Sequence, residues 1–313
     1  MPRTWNRTCP PQMFDRMQRT LYSWPSVLLT LCALFWAGNT VAGRLAIGEV
    51  SPFMLVCLRW LFVICVLWPI YGRDVRAHWG EIWPRRWRIV LMATLGFTGF
   101  NALFYVGAQY TTAINIGILQ GSIPIFVLAG AFLAHGTRAS WLQMAGVLIT
   151  AIGVVVVATH GAPLSLMEIA SNKGDVAMLA ACVLYSFYTV ALRDRPQMPG
   201  AAFFTLLAVI AAITSLPLLA YEAMTTGLTW PTPKGWLITA WVAIFPSCLS
   251  QLFYLRGVDL IGPGRAGVFV NLVPVFAAVL AVVLINEPFA PYHAVALVLV
   301  IGGIWLAQQK RPA

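Results

Sequence analysis

The sequence predicts an all-α polytopic membrane protein, with ten transmembrane helices arranged as two inverted five-helix repeats. Three observations lead there. The 313 residues are 60% hydrophobic and only 10% charged, with a mean hydropathy of +0.80, whereas water-soluble domains run near half apolar and a quarter charged. Ten apolar runs approach the length of about 20 residues that a bilayer core demands. The chain also matches itself at an offset near 150 residues. Composition alone excludes a soluble enzyme, a secreted module and a disordered tail.

The first run, 24–43, follows a tail (1–23) that carries Arg3, Arg7, Arg16 and Arg19. It has spanning length and no clear small-x-small cleavage site, so it is expected to remain as the first helix. The second run, 52–71, holds Arg59 in its interior. Trp79, Trp83 and Trp87 follow as an interfacial belt before the third run, 88–108. There Asn101 and Tyr105 are four apart and share a face. The short connection at 109–111 leaves only an antiparallel neighbour in reach, and this is the fourth run, 112–134, with Asn115, Gln120 and Pro124. The fifth run is 140–159. A linker over 160–173 leads to the sixth, 174–192, with Tyr185 and Tyr188, and then to the seventh, 200–221. The eighth, 235–255, gathers Ser247, Ser250, Gln251 and Tyr254. The ninth, 264–285, contains Asn271 and Pro274, and the tight connection at 286–291 joins it to the tenth, 292–308, before a short tail at 309–313.

Charge sets the orientation. With both termini inside, the cytoplasmic segments hold 16 Lys and Arg residues and the outer loops hold Arg44, Lys173 and Lys234. The acidic residues split evenly, as expected when only cations are sorted. The net charge of +10 is therefore a membrane signal: it is scattered over short loops and builds no face for nucleic acid. Of the six cysteines, Cys32, Cys57, Cys65, Cys182 and Cys248 lie in apolar runs and none forms a C-x-x-C pair. Neither a disulfide nor a metal site is expected.

The repeat is specific. Thr40-Val41-Ala42-Gly43-Arg44 meets Thr189-Val190-Ala191-Leu192-Arg193 at offset 149, and Leu103-Phe104-Tyr105 meets Leu252-Phe253-Tyr254. Past one inserted residue, Ile123-Pro124-Ile125-Phe126 meets Val273-Pro274-Val275-Phe276 at 150, and Gly153 meets Gly303. Five spans per copy is an odd number, so the second copy must insert upside down, the arrangement that lets two halves exchange conformations. With Phe35-Trp36-Ala37-Gly38-Asn39, Leu58-Arg59-Trp60, and Glu287 thirteen residues after Pro274, the chain resembles the EamA-domain branch of the drug/metabolite transporter superfamily, in two tandem copies covering about 24–308. The resemblance implies a transporter of small organic solutes, most commonly an exporter of amino acids, related metabolites or drugs, with uptake known among relatives. One position departs from the family pattern. In the first copy the residue thirteen after Pro124 is Thr137, within Gly136-Thr137-Arg138, where the family has Gly-Glu-Arg. The favoured reading is that this carboxylate is structural and dispensable at the cytoplasmic end.

Polar groups in hydrocarbon are costly and mark either helix contacts or a pathway. Arg59 is the sharpest, since a mid-helix cation costs about 2.5–3.5 kcal/mol on insertion scales and no acid shares its depth. It is expected either to face an anionic group of a solute, or to bond backbone carbonyls or an outer-end acid such as Glu49 or Glu287. Asn101 and Tyr105 have Ser250 and Tyr254 as repeat-mates, with Ser247 and Gln251 beside them; Trp36 and Asn39 align with Tyr185 and Tyr188. These eleven residues, Arg59 included, are the candidate lining of a central cavity between the repeats. Pro124 and Pro274 are expected as matched kinks, and Glu287 as a gate or structural residue. His78, His135, His160 and His293 lack metal spacing, and no H-E-x-x-H or phosphate loop occurs.

The expectation is therefore a multi-pass inner-membrane transporter, monomeric or homodimeric, working on a small-molecule solute without cofactor. All ten acids fall in loops, tails or helix ends, which favours facilitated diffusion or exchange over proton coupling through a buried carboxylate. An uptake permease or a non-transporting scaffold subunit is the alternative. A membrane-embedded enzyme lacks a clustered catalytic set.

Overall fold

The structure is a computed structural model describing residues 24–136, 140–162 and 172–309. The expected tail at 1–23, Thr137, most of the 160–173 linker and all but Gln309 of the C-terminal tail lie outside the described residues. Among the described residues every regular element is helical. Ten helices are long and apolar enough to cross a membrane: α1 (Pro25–Leu45), α2 (Pro52–Ala77), α3 (Trp79–Gly107), α4 (Ala113–His135), α5 (Trp141–Ala158), α6 (Lys173–Asp194), α7 (Gly200–Thr225), α8 (Pro233–Ile261), α9 (Arg265–Ile285) and α10 (Pro291–Gln308). An even number of antiparallel spans puts both described ends, near Trp24 and Gln309, on one face of the bundle, hereafter the termini face; the other is the far face.

Local chemistry explains the helix ends. Proline opens α1, α2, α8 and α10, where its missing N–H is no loss. Thr112, Asn172 and Thr232 accept first-turn amides of α4, α6 and α8. At the start of α5, Ser140 and Gln143 form a reciprocal capping box. The apolar runs underestimate α2, α3, α7 and α8, because charged or interfacial turns continue these helices beyond the hydrocarbon. In α3 the tryptophan belt is itself helical, broken only by a 3-10 turn at Trp83–Arg85.

Packing follows the repeat. Helix α1 packs on α8 and α9, and its repeat-mate α6 packs on α3 and α4; α2 pairs with α7, and α5 with α10, each with its own counterpart. Such contacts are related by a pseudo-twofold axis, so the two halves are inverted copies. The α5–α10 seam shows this at atomic scale. Gly153 lies against Ala296, Leu299 and Val300, and Gly303 lies against Gly146 and Thr150, so a Cβ at either glycine would overlap the opposing helix.

The irregularities repeat as well. A π-helical segment interrupts α3 at Thr94–Gly99 and α8 at Ala243–Leu249, one repeat offset apart. Helix α4 is broken by a 3-10 turn at Gln120–Ser122 and α9 by a turn at Asn271, and Pro124 and Pro274 sit at the starts of the segments that follow. Gly136 and Asn286 close the two helices in left-handed conformation, φ 63° and 53°.

Candidate functional site

Arg59 is the eighth residue of α2, about 10 Å from its far-face end at 1.5 Å per residue. Its side chain is buried, 3% exposed. Nε and Nη2 donate to Ser247 Oγ of α8 at 3.0 and 2.6 Å. Nη1 donates to Tyr105 Oη at 2.8 Å and to Asn101 Oδ1, both on α3. Tyr105 in turn donates to Asn39 Oδ1 of α1 at 2.8 Å. The guanidinium lies 5.0 Å from the Trp60 ring centroid and 5.7 Å from that of Tyr105. Among the described residues it has no ion pair, so hydroxyls, an amide and two π faces carry the charge. Neither backbone carbonyls nor Glu49 or Glu287 hold it; both acids are engaged elsewhere.

The π segment supplies Ser247. In a regular helix the Val242 carbonyl would accept the N–H of residue 246, which is proline. The π pattern shifts that carbonyl to Ser247, five residues on, whose Oγ also donates to it at 2.6 Å and presents its lone pairs to Arg59. On α3, Asn101 Nδ2 donates to the Phe97 carbonyl at 2.6 Å, which leaves Oδ1 facing Arg59. The expected residues Arg59, Asn39, Asn101, Tyr105 and Ser247 therefore come together as one network spanning both halves.

Trp36, Tyr185, Tyr188 and Tyr254 form a second group. Trp36 and Tyr254 rings are 5.5 Å apart, Tyr185 and Tyr188 5.4 Å, and Tyr185 meets Phe100 at 5.1 Å. Tyr254 lies near both Tyr185 and Tyr188, with Cys32 of α1 also in reach. All four rings remain half-buried. Gly96 sets this position: a Cβ there would fall 2.5 Å from Tyr188 Cβ, so the bare backbone lets the tyrosine approach α3. Chain direction places this aromatic group toward the termini face and the Arg59 network toward the far face. Ser250 is buried and bonds back to the Pro246 carbonyl, and Gln251 is half-buried beside it. Gln120 bonds back to Ile116, and Asn271 pairs with Gln308 at the termini face. Asn115 belongs to a far-face cluster.

Beyond Arg59 the far face is clasped shut between the halves. Glu222, at the end of α7, accepts from Ser51 Oγ at 2.8 Å and from the amides of Phe53 and Met54 at 3.3 and 3.2 Å, capping α2. Glu287, just past α9, accepts from the amides of Ala113 and Ile114 at 2.9 and 3.1 Å, capping α4, and lies 3.5 Å from Arg44. Arg44 also donates to the Ala108 carbonyl at 2.8 Å. Carboxylates suit these places because helix N-termini carry free N–H groups and partial positive charge. Glu49 accepts from Thr232 and from Lys234 at 3.1 Å. The Thr232 hydroxyl and the Lys234 ammonium hold its carboxyl below the usual range, so this link persists at neutral pH and is lost only in acid. Between the Arg59 network and this face, a pocket lined by Gly43, Val50, Leu55, Tyr105 and Gln109 holds about 10 Å³, room for one water.

The termini face differs. There an exposed pair joins the halves, Arg88 with Asp194 at 3.1 Å. Within α4, all seven residues of the far-face segment Ala113–Leu119 are buried, whereas none of Ile123–His135 is. Helix α4 is thus tight at the far face and loose at the termini face, whereas α7 is buried through Ala202–Ala208 at its termini-face start.

Sequence reasoning missed Glu222, Asp175 and His293 as contact residues. Nothing in the sequence flags Glu222. For His293 a signal existed, since its repeat-mate is Gln143, which ends a serine capping box.

The family description "EamA-like transporter family" matches residues 23–159 and again 172–308. The chain is 24% identical over 277 residues to the uncharacterized transporter YetK of Bacillus subtilis (strain 168), covering 87% of this chain and 83% of the relative. It is 23% identical to the aromatic amino acid exporter YddG of Ancylobacter novellus, covering 94% and 98%. It is 27% identical to a probable terminal-alkyne amino-acid exporter of Streptantibioticus cattleyicolor, covering 72% and 75%. A solved crystal structure at 19% identity superposes with a TM-score of 0.62 over 90% of this chain and 96% of that one, which supports the fold.

Proposed function

The chain belongs to the EamA-like transporter family, and on that premise we propose that it exports amino acids or related metabolites across an inner membrane by alternating access of its two inverted halves. The single observation that carries this reading is the aromatic group where helices of both halves meet: Trp36 and Tyr254 on α1 and α8, Tyr185 and Tyr188 on α6. Rings with polar tips suit an amphipathic solute with an apolar or aromatic side chain. Two relatives bear names of amino-acid exporters, one of them for aromatic amino acids.

In this reading the aromatic rings line the path and the Arg59 network, with Asn39, Asn101, Tyr105 and Ser247, forms its polar floor; Ser250 and Gln251 sit at the α8 wall. The transport units are 24–159 and 174–308, joined by the 160–173 linker. The 16-to-3 distribution of cations supports cytoplasmic termini, and in this reading the present conformation is open inward and clasped outward. Bending at the breaks before Pro124 and Pro274 exchanges the two states. Among the described residues no carboxylate lies at the depth of Arg59, and the buried Asp175 and Glu222 sit at far-face helix ends, so the reading is facilitated diffusion or exchange.

A growth screen tests this. Cells overproducing the chain are challenged with inhibitory amino acids and their analogues, nucleosides and dyes, beside a Tyr254→Ala form at equal membrane abundance. Resistance to amino-acid analogues that disappears in the variant is expected. Sensitisation in place of resistance would mean uptake, and no change with any compound would remove the transport reading.

A further inference from the structure

His293 is the third residue of α10 and 2% exposed. Its Nδ1 accepts the Ala290 N–H at 3.0 Å, closing the first turn of α10. The ring proton is therefore on Nε2, which donates to Asn115 Oδ1 at 3.2 Å. Asn115 Nδ2 faces Asp175 Oδ2 at 3.5 Å, and that fully buried carboxylate also accepts from Thr111 and, at 3.0 Å, from Asn172. An acid and an imidazole on α6 and α10 are thus bridged by one amide on α4.

The repeat supplies the comparison. In the first half, the residue equivalent to His293 is Gln143, whose Oε1 accepts the Ser140 N–H at 2.8 Å. The cap is the same, but the amide oxygen does not take a proton at physiological pH. Helix α5 starts on the termini face and α10 on the far face, so only the far-face cap is titratable.

We propose that His293 is a proton-binding site that releases the far-face clasp. A protonated imidazole has two donors and no acceptor, so the Ala290 N–H loses its partner and meets a like donor. The turn that this frees, 286–290, carries Glu287, whose carboxylate holds the α4 N-terminus through Ala113 and Ile114. The groups around the site set its response. Burial disfavours the added charge, while Asp175, reached through Asn115, favours it. His160, which follows α5 and stacks edge-on with Tyr292, opposes it, while the Tyr292 hydroxyl changes no charge near neutral pH. Glu287 is already paired with Arg44, and Lys173 points to solvent. Acid on the far side thus favours opening toward that side, a regulation of the proposed transport cycle.

The inference rests on the alternating-access reading, but its test needs no solute, so it fails or stands apart from the choice of substrate. Full-length protein with native cysteines replaced and spin labels at Gln109→Cys and Thr226→Cys, on far-face turns of opposite halves, is reconstituted in lipid vesicles. Interlabel distances are measured at pH 8 and pH 5. The His293 protein is expected to gain a longer-distance population in acid, by about tenfold, the scale of one lost buried hydrogen bond. The His293→Gln protein, which copies the first-half cap, is expected to stay short at both pH values. An unchanged distance in the His293 protein, an undiminished acid response in His293→Gln, or a long distance in His293→Gln already at pH 8 would each overturn the proposal.

Discussion

Arg59 is a cation held in the bundle by neutral partners, and its removal leaves Asn101, Tyr105 and Ser247 short of a donor at once. Arg59→Ala is expected to cost at least about 3 kcal/mol of stability, the scale of unpairing buried groups that bond a charge. Arg59→Lys keeps the charge but loses the fork that reaches α3 and α8 together, and is expected to fall between. Thermal unfolding of the purified proteins in detergent checks both. Much of this network was legible in the sequence, because the spacing of Asn101 and Tyr105 fixes a shared face and the repeat points to helix α8. What spacing cannot fix is the partner across the gap. A face that could hold a solute can equally close on an arginine from another helix, and Asn101, Tyr105 and Ser247 do so.

At the scale of elements, the ten spans were legible from hydropathy, since lipid demands long apolar runs. Their ends were not, because interfacial turns such as Trp79–Ile82 stay helical without being apolar. The broken helices were legible at Pro124 and Pro274, but the π segment at Thr94–Gly99 contains no proline and shows no local signal; only its repeat-mate contains one, Pro246. That proline makes a test possible. Pro246→Ala returns an N–H to compete for the Val242 carbonyl, so the segment is expected to relax toward α-helix and withdraw Ser247 from Arg59. The helix gains intrinsic propensity, yet the expected result is lower transport at equal or greater membrane abundance, read by comparing solute flux with quantitative blotting. Unchanged flux would show that the π geometry is not needed.

For the whole molecule, inverted halves imply two gates of one design, and the sequence makes them unequal. Glu287 clasps α4 at the far face, while its repeat-mate is Thr137. The proposed cycle then rests open at the termini face, because the clasp there has no carboxylate at that position. Thr137→Glu is expected to stabilise the opposite state, shifting the population by about fivefold, the worth of roughly 1 kcal/mol for an acid at a helix N-terminus. Cysteine accessibility measured separately from each side of the membrane reads that shift. One measurement tests the proposed transport most directly: counterflow of a radiolabelled aromatic amino acid in proteoliposomes at equal pH on both sides. Vesicles preloaded with the unlabelled amino acid are expected to accumulate label transiently, and a Tyr254→Ala protein to lose at least about tenfold of that rate, the cost of one well-used aromatic contact. Accumulation that requires a pH gradient, or none with any amino acid tried, would contradict it.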